Sequence, residues 1–281
     1  MIVGEAYMKG KIVLITGATS GLGKETARAL ATLGATIVIT TRDTQKGEQT
    51  KQELIESTQN KNINVMYCDL ASFVSIRTFC AEFLQKYEAL NVLINNAGIW
   101  DYRRRVSKDG IEETFAVNYL APFLMTNLLL EALQKSVPSR IINVTSGLHS
   151  GTIQFDDLEF TKNFSGLKVY GHSKLAVILF TRLLAEKLEG TGITVNCVNP
   201  GMTKTNLGRD AGFVSQLFFK IMGKNPAKGT ETAVYLASSP DAATISGEYF
   251  EKKQVQKTNL ETYDMDEANK LWDISKKYVG L

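Results

Sequence analysis

Two patterns of hydrophobic and polar positions alternate along this chain. Short runs rich in β-branched residues are almost wholly apolar, which is typical of strands covered by helices on both faces. Longer segments between them have the periodicity of amphipathic helices. The predicted strands are Ile12–Thr16, Thr36–Thr40, Asn64–Cys68, Val92–Asn95, Arg140–Thr145, Thr194–Val198 and Glu248–Phe250. The predicted helices are Lys24–Leu33, Gln45–Ser57, Ser75–Tyr87, Glu112–Gln134, Gly171–Glu189, Lys228–Ala237 and Asp264–Tyr278.

The order of these elements predicts the fold class. Strand and helix alternate from Ile12 to Val198, which indicates repeated βαβ units and a parallel sheet. No linker rich in Pro, Gly or Ser and no internal repeat interrupts the alternation. We therefore expect residues 1–281 to form a single α/β domain.

Two stretches depart from this rhythm, residues 149–168 and residues 202–226. Both follow the carboxyl ends of strands, where ligands bind in open parallel sheets. Long connections in compact domains are often lids or binding loops, so we expect both to be substrate loops. The second contains the apolar run Phe213–Phe219, for which an ordinary amphipathic helix that covers the core is an equal alternative.

Composition narrows the functional classes. The chain is 44% hydrophobic and 22% charged with a formal net charge of +3, an excess too small to indicate a nucleic-acid partner. The densest basic cluster, Arg103–Arg105, is interpreted as a solvated loop in preference to a polyanion site. Three cysteines without a C-x-x-C pair, together with two histidines, predict no disulfide framework and no metal site.

Targeting signals are absent from the pattern as well. No run of about 18 apolar residues is present, so no transmembrane segment is expected. Residues 1–9 are too short and too mixed for a secretory signal. We expect a cytoplasmic protein, and a homo-oligomer is compatible with the sequence.

A glycine-rich turn follows the first strand and leads into a helix. It contains Gly17, Ser20, Gly21, Leu22 and Gly23 in G-x-x-x-G-x-G spacing. Missing side chains let the backbone approach a pyrophosphate, while free amides and the helix dipole hold its charge. Such a turn is weak evidence alone, but its place in a βαβ series predicts a dinucleotide site.

The end of the second strand indicates which dinucleotide is bound. An acidic residue there would bind a ribose 2′-hydroxyl, whereas an arginine accommodates a 2′-phosphate. Thr41 stands where the acid is expected and Arg42 follows it, which favours NADP(H) over NAD(H). The alternative is that Arg42 is a surface arginine paired with Asp43.

Two further strand ends fit a dinucleotide site. Asp69 and Leu70 follow the third strand and are expected to border the adenine. Asn96, Ala97 and Gly98 follow the fourth, where small residues let backbone lie along a cofactor. An ordinary Asn-Gly type turn gives the same pattern.

Candidate chemistry appears near the start of the fifth predicted helix. Tyr170 and Lys174 are four residues apart and share a helix face, where an ammonium stabilises a phenolate and lowers the pKa of the phenol. Most Y-x-x-x-K pairs lie on solvated helix faces. Here Ser146, at the end of the fifth strand, supplies a hydroxyl able to orient a substrate carbonyl. Asn118 is a polar residue in an apolar helix, with a structural hydrogen bond and a water-holding role near Lys174 as alternatives. His149 and His172 are interpreted as bystanders.

Taken in order, these motifs resemble the short-chain dehydrogenase/reductase family. The resemblance rests on residues 16–23, Asn95–Gly98, Asn118, Ser146, Tyr170-x-x-x-Lys174 and Pro200-Gly201, and it covers nearly the whole chain. It implies a Rossmann-type, doubly wound parallel sheet of about seven strands and NAD(P)-dependent oxidoreduction of a small-molecule carbonyl or alcohol. It also implies that Tyr170 is the acid/base, Lys174 its electrostatic partner and ribose anchor, Ser146 the orienting group and Asn118 part of a proton relay. Pro200, Gly201 and Thr203 are then expected at the cofactor.

Within that family the chain is similar to the retinol-dehydrogenase-like branch. The similar features are Thr41-Arg42-Asp43 before Gln45-Lys46-Gly47, the 24-position gap between Ser146 and Tyr170, and residues 270–275. The branch implies lipid-like aldehydes or bulky carbonyls as substrates and usually NADP(H), with NAD(H) as the alternative. Rival hypotheses are a non-catalytic dinucleotide-binding regulatory protein and an isomerase or dehydratase that uses the cofactor transiently.

Overall fold

The structure is a computed structural model that describes residues 8–149, 151–201 and 226–281. The strands are β1 Ile12–Ile15, β2 Thr36–Thr41, β3 Ile63–Tyr67, β4 Val92–Asn95, β5 Ser139–Val144, β6 Ile193–Val198, β7 Tyr249–Glu251 and β8 Gln254–Val255. The helices are α1 Gly21–Thr32, α2 Thr44–Thr58, α3 Phe73–Lys86, α4 Glu113–Gln134, α5 Gly166–Lys187, α6 Pro226–Ser238 and α7 Met265–Val279.

One sheet contains all these strands, in the order β3-β2-β1-β4-β5-β6-β7-β8. Strands β1 to β7 pair in parallel, and β8 pairs antiparallel with β7. The chain runs outward through β2 and β3 and then crosses back to β4 beside β1. The loops after β1 and β4 therefore diverge to opposite faces and leave a crevice at the carboxyl edge, where ligands bind in such sheets.

The expected doubly wound α/β fold is confirmed, but the strand count differs by one. Strand β8 was missed because it has only two residues, both exposed, and so shows no hydrophobic alternation. Its antiparallel pairing with β7 makes the sheet mixed.

Alternating side chains build two cores, one on each face of the sheet. Leu14, Val38 and Leu93 lie in the cluster under α3, α4, α5 and α7. Val13 and Ile37 lie in the cluster under α1, α2 and α6. Because successive strand residues point to opposite faces, strands buried on both sides must be apolar throughout, as the sequence pattern predicted.

Helix α4 lies at the centre of the first core. Among the described residues it is the one helix long and apolar enough to cross a membrane by length and composition, and 72% of its apolar window is buried inside the fold. Helix α7 covers it, with the Trp272 ring 4.9 Å from Phe123 and the Tyr119 hydroxyl 2.8 Å from Ser275 Oγ. It therefore packs as a core helix.

Glu159 anchors the first of the two predicted loops. Its carboxylate accepts hydrogen bonds from Arg104 Nη2 at 3.3 Å, from the Glu112 amide at 3.2 Å and from the Tyr278 hydroxyl at 3.2 Å. Arg105 forms an ion pair with Asp101 at 2.6 Å. The charges of Arg104 and Arg105 are thus paired with carboxylates of the same chain, in keeping with the interpretation of this cluster as a loop. The other predicted substrate loop, residues 202–226, lies almost entirely outside the described residues.

Candidate active site

The predicted chemical residues converge at the carboxyl edge of the sheet. Tyr170 lies in α5 and is 4% exposed, and the side chain of Ser146, which follows β5, lies close enough to the phenol to lower its pKa. Lys174 lies one helical turn further along α5, with Nζ 5.6 Å from the centroid of the Tyr170 ring. This Nζ donates to the Val144 carbonyl at 3.0 Å. The Ser, Tyr and Lys side chains therefore form one cluster, although they come from two separate elements.

Helix α5 begins earlier than predicted. The pattern placed its start at Gly171, whereas it begins at Gly166. The difference has a steric cause: a Cβ on Gly166 would collide with the Asp101 carbonyl, so a glycine lets the helix start directly against the segment after β4. Tyr170 therefore lies inside α5, about one turn after its first residue, whereas the pattern placed it just before the helix.

Burial controls the protonation of the pair. It raises the pKa of Tyr170 to about 12, an effect that the nearby Ser146 side chain partly offsets. It lowers the pKa of Lys174 to about 8. Desolvation disfavours the charged form of each group. At neutral pH Tyr170 is therefore a protonated phenol. A fall in the pKa of the phenol caused by the ammonium together with a cationic nicotinamide stays a prediction.

Asn118 lies within a π-helical turn, Ala116–Leu120, in the middle of α4. Its Oδ1 accepts from the Ile99 amide at 2.8 Å, and its Nδ2 donates to the Ile99 carbonyl at 3.0 Å and to Ser173 Oγ at 3.1 Å. Ser173 Oγ in turn donates to the Tyr170 carbonyl at 2.7 Å. These contacts are the structural alternative foreseen for Asn118, and its relay role stays a prediction.

Two residues of the site were missed by the sequence reasoning. Ser173 connects Asn118 to the helix that carries Tyr170. Trp100 lies with its ring centroid 5.6 Å from that of Tyr170 and the same distance from that of Tyr102. Ser173 could have been found from its place as a polar residue between Tyr170 and Lys174. No local pattern announces Trp100, because its contact with Tyr170 joins positions 70 residues apart.

A cavity of about 450 Å³ extends from the glycine-rich turn to Trp100. Its described lining includes most of the residues predicted to bind a dinucleotide, namely Gly17, Ser20, Gly21, Leu22, Gly23, Arg42, Asp69, Leu70, Asn96, Ala97 and Gly98. Its volume is in the range of small-molecule and cofactor sites.

Local geometry at the glycines fits a bound dinucleotide. Gly21 has φ +56°, and a Cβ there would meet no protein atom within 4 Å, so the glycine keeps this part of the cavity empty. Gly23 is a close approach, since a Cβ would come within 2.5 Å of the Gly17 carbonyl. The N-cap of α1, Ser20, makes no side-chain capping bond, which leaves the first amides of the helix free to bind an anion.

Thr16 and Asn96 hold the turn in place. Thr16 Oγ1 accepts from the Asn96 and Ala97 amides, each at 3.0 Å. The Asn96 side chain donates to the carbonyls of Thr16 at 2.8 Å and Gly17 at 3.2 Å. The turns after β1 and β4 are thus one hydrogen-bonded unit. Nearby, Asp69 is paired with Lys108 at 2.8 Å and accepts from the Ala71 amide at 3.1 Å.

The contacts at the end of β2 show whether Arg42 pairs with Asp43. Asp43 caps α2 by accepting from the Lys46 amide at 3.0 Å. Thr41 Oγ1 shapes the turn by donating to the Asp43 carbonyl at 2.8 Å. Among the residues that the structure describes, Arg42 has no ion pair, and it lines the cavity together with Lys46. The alternative that Arg42 is a surface arginine paired with Asp43 is therefore wrong.

Three predicted cofactor residues lie after β6. Gly201 is exposed, and its amide donates to Asn199 Oδ1 at 3.0 Å; Pro200 is half-buried beside it. Neither is part of the described cavity lining. Thr203 lies outside the described residues.

The histidines play structural parts. His172 Nε2 accepts from the Gln154 amide at 3.1 Å, and its ring packs against Phe115 and Phe160. Burial lowers its pKa to about 4, so it is neutral at physiological pH. His149 lies closer to the site, with Nδ1 2.8 Å from the Ser146 carbonyl.

Comparison with known proteins agrees with this geometry. The family model for short chain dehydrogenases matches residues 11–212. Human retinol dehydrogenase 14 is 44% identical over 298 residues, covering 98% of this chain and 88% of its own. Human retinol dehydrogenase 13 is 39% identical over 287 residues, covering 99% and 87%.

Solved structures share the fold. A protein from Mycobacterium paratuberculosis matches with a TM-score of 0.80 and 30% identity, over 97% of this chain and 94% of that one. RhlG of Pseudomonas aeruginosa, solved as an NADP active-site complex, matches with a TM-score of 0.72 and 24% identity over 88% and 96%. The fold and site are those of an NAD(P)-dependent oxidoreductase acting on CH–OH groups. The chain belongs to the short-chain dehydrogenase family, in its retinol-dehydrogenase-like branch.

Proposed function

We propose that this protein interconverts a lipid-like or bulky carbonyl compound and its alcohol with NADP(H), and that Tyr170 is its acid/base. The observation that carries the proposal is the cluster of three side chains: Ser146 lies close enough to the buried Tyr170 phenol to lower its pKa, and Lys174 Nζ lies 5.6 Å from the centroid of the Tyr170 ring. A substrate oxygen placed between the two hydroxyls accepts a hydrogen bond from each. The polarised carbonyl carbon is then open to hydride attack.

Proton movement follows from the protonation states of the buried pair. A dinucleotide held in the cavity would supply the hydride to the carbonyl carbon in reduction, and Tyr170 gives its proton to the oxygen. With a pKa of about 12, Tyr170 is fully protonated at neutral pH and ready to donate. Lys174 stabilises the phenolate left behind, since an ammonium nearby favours the charged form. Ser146 strengthens its hydrogen bond as negative charge develops on the substrate oxygen.

The preference for NADP(H) rests on charge at the end of β2. Arg42 and Lys46 line the cavity together with Asp43, whose carboxylate caps α2 by accepting from the Lys46 amide. A 2′-phosphate there meets two cations, and no carboxylate stands at Thr41 to repel it. RhlG, which shares the fold, was solved with NADP.

An apolar rim supports a lipid-like substrate. Leu148, two residues after Ser146, is 48% exposed; Leu167, one turn before Tyr170, is 51% exposed; Tyr102 is 47% exposed. Exposed apolar side chains close in sequence to the reacting residues favour substrates with a long apolar body. The names of the relatives, retinol dehydrogenases 13 and 14, favour the same class.

A substrate panel tests the proposal. The purified full chain is given butanal, nonanal, retinal and a bulky ketone, with NADPH and NADH in parallel, and cofactor consumption is followed by absorbance. We expect kcat/KM to be highest for long or bulky carbonyls with NADPH. Consumption no faster than that of the Tyr170→Phe variant with every substrate would favour a non-catalytic dinucleotide-binding protein instead. A preference for NADH would contradict the cofactor assignment.

We also propose a reducing, cytoplasmic location. Cys68, Cys80 and Cys197 are all buried free thiols, and burial raises the pKa of each above its usual range. Such thiols suit a compartment in which no disulfide is needed. Cell fractionation of the tagged chain tests this, and recovery in the membrane pellet would contradict it.

A further inference from the structure

We propose that Trp100 is the specificity-determining residue of this site, and that it selects flat, conjugated carbonyl substrates over saturated ones of the same length. The inference rests on the proposed carbonyl reduction and adds to it the residue that reads the shape of the substrate. Three independent features of the structure carry it: the ring contacts of Trp100, the rigidity of its backbone, and its place at the end of the cavity.

The ring contacts make an aromatic wall beside the reacting centre. The Trp100 centroid lies 5.6 Å from Tyr170 at an interplanar angle of 32°, and 5.6 Å from Tyr102 at 46°. In the proposed reaction the substrate oxygen binds the Tyr170 and Ser146 hydroxyls, so the carbonyl end of a substrate is fixed next to this wall. The atoms adjoining the carbonyl then lie against aromatic faces, where a flat π-system stacks best.

The backbone that carries Trp100 is fixed from both sides. Ile99, the preceding residue, has both its amide and its carbonyl bonded by the Asn118 side chain. The following residue, Asp101, is buried; it accepts from the Arg103 amide at 3.0 Å and pairs with Arg105. Its carbonyl abuts Gly166 at the start of α5. With its backbone fixed on both sides and its ring packed against Tyr102 and Tyr170, Trp100 presents a defined surface to each substrate.

The third feature is the position of Trp100 in the cavity. Trp100 lines the dinucleotide cavity and its ring contacts Tyr170, which is not part of the described lining, so Trp100 connects the cavity to the proton donor. The exposed side chains of Leu148 and Leu167, by contrast, are aliphatic and offer no flat face to a substrate. An indole face distinguishes a flat enal from a bent alkanal, because offset stacking needs a flat partner.

The test uses matched substrates that differ in one double bond. Cinnamaldehyde and 3-phenylpropanal share a skeleton, and butanal reports the chemistry without the wall. Each is assayed with the wild type, Trp100→Ala, Trp100→Phe and the control Tyr263→Ala. The control truncates another partly exposed aromatic, which stacks 3.8 Å from the Arg182 guanidinium, about three turns along α5 from Tyr170.

Contacts of this size in apolar pockets change kcat/KM by about 10- to 200-fold. We expect the ratio of kcat/KM for cinnamaldehyde over 3-phenylpropanal to fall about tenfold in Trp100→Ala, and by less than about threefold in Trp100→Phe. The Tyr263→Ala variant should stay within about threefold of wild type with all three substrates, and Trp100→Ala should lose less kcat/KM with butanal than with cinnamaldehyde. An unchanged ratio in Trp100→Ala, or an equal loss with all three substrates, overturns the inference.

A binding readout separates this inference from the proposed function. The chain has two tryptophans, and the other, Trp272, packs in the core against Phe123 and Phe180. Cinnamyl alcohol should quench the Trp100 emission of the wild type in the presence of NADP⁺, and Trp100→Phe should lose that quenching. Quenching without turnover would contradict the reaction and leave the Trp100 contact standing. Turnover of cinnamaldehyde without any Trp100-dependent quenching would contradict the contact alone.

Discussion

The side-chain amide of Asn118 bonds both backbone groups of Ile99. Its Oδ1 accepts from the Ile99 amide at 2.8 Å and its Nδ2 donates to the Ile99 carbonyl at 3.0 Å. The side chain thus pairs with the Ile99 backbone as a neighbouring strand would. The same Nδ2 reaches Ser173 Oγ at 3.1 Å. The buried Asn118 side chain therefore joins the segment after β4 to α5, the helix that carries Tyr170.

Replacing Asn118 with alanine should cost both stability and activity. The change leaves the Ile99 amide and carbonyl and the Ser173 hydroxyl without their partner in a buried region, and we expect a loss of about 3 kcal/mol in the free energy of unfolding. Urea denaturation measures the loss, and kcat/KM should fall with it because Trp100 and Tyr170 lose their alignment. Asn127→Ala is the control: the same helix loses a single side-chain bond, to the Phe123 carbonyl. Equal stability of the two variants would contradict the positioning role.

Tyr170→Phe should abolish turnover while keeping the fold. Loss of a positioned general acid typically lowers the rate by about 10²- to 10⁴-fold, and the cofactor cavity is untouched by the change. Steady-state kinetics with NADPH measures the rate, and nucleotide fluorescence measures binding. Tyr119→Phe is the matched control, because that hydroxyl only bonds Ser275 in the core. Near-wild-type activity of Tyr170→Phe would refute the assigned role.

The buried Lys174 should make stability depend on pH. Its pKa is lowered to about 8 in the folded chain, from 10.5 as the ordinary value. Between these values the unfolded chain binds a proton that the folded chain does not, so the free energy of unfolding rises with pH across this interval. The full effect is about 3 kcal/mol, and it is a cost of folding below pH 8.

Lys174→Met should therefore stabilise the protein at pH 7 while it impairs catalysis. We expect a gain of about 2 kcal/mol after the bond to the Val144 carbonyl is lost. The gap between variant and wild type should shrink as pH rises from 8 towards 10.5. Urea denaturation of both proteins at pH 7, 9 and 10 measures it. A gap that stays constant over this range would show that Lys174 does not titrate as stated.

Much of the fold could be predicted because the sheet is buried on both faces. Residues such as Val13 and Leu14 both point into cores, so the strand runs are continuously apolar and easily recognised. The same reasoning fails at β8, whose two residues are exposed at a sheet edge. The π-helical turn around Asn118 gave no signal either, since it alters hydrogen bonding without altering the hydrophobic pattern of α4.

The site could be predicted as far as its residues lie at strand ends or share a helix face. Ser146, Tyr170 and Lys174 satisfy those conditions. Trp100 does not, because it reaches Tyr170 through tertiary packing alone. The protonation of Tyr170 was also beyond the sequence, since the rise in its pKa comes from burial that only the folded chain defines.

Arg42→Ala should change cofactor preference selectively. A hydrogen bond between charged groups contributes about 1.5–3 kcal/mol, so loss of the contact to a 2′-phosphate should raise the KM for NADPH by about 10- to 100-fold. The KM for NADH should stay near its wild-type value. Arg28→Ala is the control: this arginine of α1 pairs with Glu25 and is not part of the described cavity lining. Equal effects on the two cofactors would place the phosphate elsewhere.

Glu159→Ala should loosen the substrate loop and weaken substrate binding more than cofactor binding. The carboxylate joins Arg104, the Glu112 amide and the Tyr278 hydroxyl, so its removal separates the loop from the segment after β4 and from α7. We expect a loss of about 1–3 kcal/mol in the free energy of unfolding, and a rise in substrate KM with the KM for NADPH unchanged. Asp157→Ala is the comparison, because that carboxylate bonds only within the loop, to Thr161 and Lys162. If Glu159 acts by joining the three elements, Asp157→Ala will have the smaller effect on stability; the reverse order would mean that local loop structure, and not the connection to α7, determines the shape of the site.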